Sequence, residues 1–69
     1  MPNEMEFFIF LLEKYAEEKG VTATSAFDQW DAHGITQEIY DNYEMYHSER
    51  IENAFEDIDS LLTTGKHAW

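Results

Sequence analysis

The chain contains no cysteine, so no disulfide can brace it and no thiolate is available to bind a metal or attack a substrate. That absence fits a reducing compartment. Proline occurs once, at Pro2, ahead of every periodic segment, so nothing downstream is barred from helix. Basic residues are also scarce. Four Lys and Arg stand against 15 Asp and Glu, a formal net charge of -11. This balance argues against nucleic acid and anionic membranes as partners, since both are bound by cations that displace counterions. Long apolar runs are missing too. The longest, Phe7 to Leu12, is bounded by Glu6 and Glu13 and falls well short of the ~20 residues a membrane span requires. No basic segment and small-residue cleavage site mark a secretory leader. The expectation is a cytoplasmic chain without leader or anchor.

What is present describes a small folded protein. Apolar residues make up 43% of the 69 positions and aromatics 16%, above the composition of disordered chains. The length predicts one domain over residues 1–69, with an ordered core at 3–63 and a short tail at 64–69. Such a domain buries only about 60% of its unfolded surface.

Punctuation divides the chain into four predicted helices, an all-α bundle. Asn3 followed by Glu6 has the form of a capping pair for a helix from about Glu4 to Lys19, closed by Gly20. Thr22 can cap a second helix running to about His33, closed by Gly34. Thr36 can cap a third over about Gln37 to Tyr46, and Ser48 a fourth over Glu49 to about Thr63, with Gly65 beyond its end. At helical spacing, helix four buries Ile51, Ala54, Phe55, Ile58, Leu61 and Leu62, with Phe55 and Ile58 central. Its opposite face carries Glu49, Glu52, Glu56, Asp57 and Asp59. Helix one offers a stripe of Met5, Phe8, Ile9, Leu11, Leu12, Tyr15 and Ala16; helix two offers Ala23, Ala26, Phe27 and Trp30; helix three offers Ile39, Tyr43 and Tyr46.

Phe7 and Phe10 fall off the helix-one stripe, toward Lys14 and Glu17. Either helix one is central and covered on several sides, or the two rings form a contact patch. Burying both is worth about 3–6 kcal/mol, and the sequence leaves the choice open.

The segment Glu4 to Ala16, the segment Ile39-Tyr40-Asp41-Asn42-Tyr43-Glu44-Met45-Tyr46-His47 and the later Asp57-Ile58-Asp59 together resemble a family of short bacterial proteins of unknown function. The resemblance covers roughly Asn3 to Leu62. Members are common in gut-dwelling Gram-positive bacteria and often encoded beside a larger protein resembling ADP-ribosyltransferases, in a pairing that looks like a toxin–antitoxin module. It implies a protein partner and no catalytic residues.

Chemical motifs are weak throughout. Glu44-x-x-His47 has the spacing of a di-iron ligand pair, but one copy cannot build that site, and His47 reads instead as a helix-end residue. His33 and His67 stand in no ligand context. Asp57-x-Asp59 lacks the glycine and closing glutamate of a calcium loop and reads as a solvated helical face. No nucleophile elbow surrounds Ser25, Ser48 or Ser60, and the three glycines end helices rather than cradle phosphate. Tyr40, Tyr43 and Tyr46 sit among acids rather than the cations a base-stacking platform needs, and read as core-edge packing. No catalytic residue, metal ligand or cofactor is assigned.

The expected function is therefore a small acidic protein-interaction module, the antitoxin-like or regulatory partner of a co-encoded effector. The alternatives are an acidic nucleic-acid mimic and a structural homodimer. The candidate contact patch comprises Phe7, Phe10 and Met45, ringed by Glu13, Glu17, Glu38 and Asp41.

Overall fold

Three glycines with φ between 70° and 75°, Gly20, Gly34 and Gly65, punctuate the helical chain. The computed structural model describes residues 3–68. Among these the chain is helical with no strand, in the order α1 (Asn3–Lys19), α2 (Ala23–Ala32), α3 (Ile35–Asp41), α4 (Tyr43–Ser48) and α5 (Ile51–Thr64). Pro2 and Trp69 lie outside the described residues.

The stops follow the sequence more closely than the starts. Thr22 caps α2, its hydroxyl accepting from the Ser25 amide at 3.1 Å. Gly65 ends α5 in the left-handed conformation, its amide donating to the Leu61 carbonyl at 3.0 Å. Three expected caps are corrected. Asn3 is already helical. Thr36 lies inside α3, where left-handed Gly34 occupies the N-cap. Ser48 is the last residue of α4, with Oγ donating to the Glu44 carbonyl at 2.6 Å, and Arg50 precedes α5 without a side-chain cap.

The expected third helix is two helices. Asn42, with φ of -114° and ψ of 32°, breaks the chain between α3 and α4. Its side-chain Nδ2 donates to the Glu38 carbonyl at 2.9 Å and to Glu38 Oε2 at 3.2 Å. An Asn side chain that competes for backbone acceptors in this way offers the chain an alternative to continuing the helix. Ile35 and Ile39 of α3 and Tyr46 of α4 are buried on the two sides of the break.

Trp30 of α2 lies at the centre of that core, fully buried, with Phe8 at 5.7 Å and Tyr15 at 5.3 Å between ring centroids. Leu11, Ile35, Ile39, Tyr46, Ala54 and Ile58 complete it. The buried stripe of α1 is rotated from expectation, toward Phe7 and away from Met5 and Ile9, which are exposed. The cause is where the cover lies. α2, α3 and α5 place Trp30, Tyr40 and Phe55 against the Phe8–Tyr15 side, and α4 places Tyr43 and His47 against Phe7. Phe55 is correspondingly half-buried rather than central, and Phe27 is exposed. No helix among the described residues is long and apolar enough to cross a membrane.

Candidate functional site

Two features could carry function: a set of grooves around α4 and a buried polar network behind them. The grooves arise because α4 is only six residues long and leaves apolar side chains of α1 and α5 uncovered. One, of about 260 Å³, runs between Phe7, Phe10, Leu11, His47 and Ile51. A second, of about 340 Å³, has a floor of Met45, Tyr46 and Ala54, with Glu49, Glu56 and Ala68 on its walls. A third and shallower one places Asp41 beside Met45 and Glu44. Glu49 borders all three.

The residues expected to form one patch are divided among these features. Phe7 is half-buried, packed edge-on against Tyr43 at 5.6 Å and His47 at 6.0 Å. Phe10 is 50% exposed, with the Lys14 ammonium 5.9 Å from its ring centroid. Met45 is 44% exposed. Asp41 is exposed and accepts from Gln37 Nε2 at 2.9 Å. Glu13 and Glu17 are exposed on α1 but line none of the three grooves. Glu38 turns away from the rim and into the polar network. Glu49, at the meeting of the grooves, was absent from the expected patch.

The network centres on Asp57, expected as part of a solvated face and here only 1% exposed. Its carboxylate accepts from the Tyr46 hydroxyl, from His67 Nδ1 at 2.8 Å and from the Ala68 amide at 2.6 Å. The other ring nitrogen of His67, Nε2, lies 2.9 Å from Glu38 Oε2. A single imidazole thus joins the acids of α3 and α5. Burial pulls the His67 pKa down, but its hydrogen bonds to Asp57 and Glu38 and the charge of both outweigh that effect and raise it above the ordinary value. Burial, followed by the hydrogen bond and charge of Asp57, pushes the Tyr46 hydroxyl well above the ordinary phenol range. A smaller network holds Asp59, half-buried, which accepts from the Tyr15 hydroxyl at 2.8 Å and pairs with Lys19 at 2.7 Å. Burial and Asp59 raise the Tyr15 pKa likewise.

Chemically, the Asp57 cluster is saturated rather than poised. Both ring nitrogens of His67 face carboxylates, which leaves no lone pair for activating a nucleophile in this arrangement. Among the described residues no group of three or more His, Asp or Glu side chains converges to hold a metal ion. Within the tail expected at 64–69, Thr64 is the last residue of α5, and Lys66 and Ala68 are hydrogen-bonded to Ser60, Thr64 and Asp57 of that helix.

The fold and its grooves therefore define a small, acidic, all-helical protein whose polar chemistry holds helices together. The chain belongs to the DUF3791 family of proteins of unknown function, whose sequence profile matches residues 6–64. That match contains Glu38, Tyr46 and Asp57 and ends before His67. No curated protein and no solved structure matches the chain.

Proposed function

We propose that this protein is an acidic interaction module that binds one basic protein partner through the grooves around α4, as the antitoxin-like or regulatory member of a co-encoded pair. The observation that carries the reading is Phe10, half-exposed at the mouth of an apolar groove whose rim includes Glu49 on a chain of net charge -11. Apolar anchors within a charged rim concentrate binding energy, while the acidic field speeds encounter with a basic surface by about 10–10³-fold. The family resemblance supplies the candidate partner, an ADP-ribosyltransferase-like protein encoded alongside in bacteria.

The test is co-expression with the neighbouring gene product. Phe10→Asp is expected to abolish complex formation and leave the helical circular dichroism unchanged, because the ring is exposed. Met45→Asp is expected to weaken the complex if the second groove contributes. Undiminished binding by Phe10→Asp would remove this face from the interface.

A further inference from the structure

Residues 65–68 form a short segment that leaves α5 at left-handed Gly65 and turns back across its own helix. Lys66 is held at both ends of its backbone, its amide donating to Thr64 Oγ1 at 3.1 Å and its carbonyl accepting from Ser60 Oγ at 2.7 Å. Those bonds place the next two residues over Asp57. Ala68 closes one wall of the 340 Å³ cavity beside Met45.

The decisive geometry is at His67. Its Nδ1 lies 2.8 Å from Asp57 Oδ2, and its Nε2 lies 2.9 Å from Glu38 Oε2. A neutral imidazole carries one N–H and one lone pair, so it can donate to only one of two carboxylates and must aim its lone pair at the other. The imidazolium donates to both. Tyr46 of α4 spends its proton on Asp57, Asn42 donates to Glu38, and Glu49 and Glu56 along the cavity add only negative charge.

We propose that residues 65–68 are a protonation-dependent strap, shut while the imidazolium of His67 bridges Glu38 and Asp57 and released when that proton is lost. On release the Nε2 lone pair faces Glu38, the buried Asp57 loses its counter-charge, and Ala68 comes away from the cavity. Opening uncovers Asp57 and Tyr46 at the base of the Met45 groove. The direction of the His67 shift keeps the strap shut further toward neutral pH than an isolated histidine would. This device does not depend on the interaction reading, since it concerns the free protein.

Nuclear magnetic resonance of the nitrogen-labelled 69-residue chain tests it between about pH 5 and about pH 9, a range that brackets the ordinary imidazole value. The Ala68 amide proton, deshielded by its bond to Asp57, is expected to move upfield with the same midpoint as the His67 ring. A Glu38→Gln variant separates the strap from mere packing. Its amide side chain can accept from the protonated ring or donate to the neutral one, so only the loss of the Asp57 counter-charge remains and the Ala68 transition should shrink. An Ala68 amide that stays in place while wild-type His67 titrates would overturn the proposal, as would a Glu38→Gln variant with the wild-type transition. If Glu38→Gln fails to fold, His67→Gln replaces it, with an Ala68 amide position expected to be independent of pH; a wild-type transition there would overturn the strap equally.

Discussion

A carboxylate inside a helical core keeps its charge only if its lone pairs are filled, and Asp57 is filled from α4, from His67 and from the Ala68 backbone. Asp57→Ala would strand three donors at once, and is predicted to cost about 3–5 kcal/mol, the range seen when one partner of a buried charged cluster is removed. A domain of this size has roughly that much stability in all, so circular dichroism should find the variant largely unfolded. Tyr46→Phe removes one bond to a charged group, about 1.5–3 kcal/mol, and should fold with a lowered urea midpoint. An unchanged midpoint in Tyr46→Phe would mean that the hydroxyl contributes nothing. None of this was legible from spacing. Asp57 borders the apolar stripe of α5 next to Ala54 and Ile58, where a polar residue has the pattern of an exposed one. Its partners stand 10 and 11 residues away, beyond any helical periodicity, and Glu38 stands 29 residues from His67. A histidine near the end of so acidic a chain was the one available hint.

Where α1, α2 and α5 end depends on single glycines, and those were legible. Gly34 shows why: its φ of 70° favours glycine, and an added Cβ would meet no atom within 4 Å. Gly34→Ala therefore carries backbone strain alone, about 1–2 kcal/mol, measurable as a lower melting temperature with unchanged helicity. The direction each helix faces was less legible, because periodicity identifies a stripe but not its neighbours. Phe55 has the position of a core residue on α5 and is half-buried, whereas Trp30 is enclosed by aromatics of α1. Trp30→Ala should accordingly cost more than Phe55→Ala, with the tryptophan truncation near the 3–5 kcal/mol typical of large aromatic cavities, about the whole stability of the domain. Equal losses in urea unfolding would contradict the observed centre. The break at Asn42 was hidden because no Gly or Pro marks it; only the reach of the Asn42 amide to Glu38 reveals a competing partner for the backbone.

At the scale of the whole molecule, charge and pH act together. Only four Lys and Arg offset 15 acids, and of the cations Lys19 has a close carboxylate partner while Arg50 lies 3.9 Å from Glu52. Repulsion among the remaining acids should fall with added salt, raising the melting temperature as the screening length drops from about 10 Å at 0.1 M to about 3 Å at 1 M. His67 adds a second, less screened contribution because it lies between two carboxylates and is only 25% exposed. Its folded pKa is raised, so the folded state holds this proton more tightly than the unfolded state. The stabilisation is complete below the ordinary imidazole value of about 6.5 and is lost as pH climbs through the raised value. Tyr15 and Tyr46, also raised, extend the decline into alkali, since unfolding lets both phenols ionise above about pH 10. The melting temperature should therefore be higher near pH 6 than near pH 9, and fall again above pH 10. Salt separates the causes. Carboxylates are ionised at both pH 6 and pH 9, so added salt should raise the melting temperature at both by screening the surface, yet leave the gap due to His67, which His67→Gln should remove. A gap that persisted undiminished in His67→Gln would take the pH dependence away from this histidine, and a melting temperature indifferent to salt would show that the surface acids do not strain the fold.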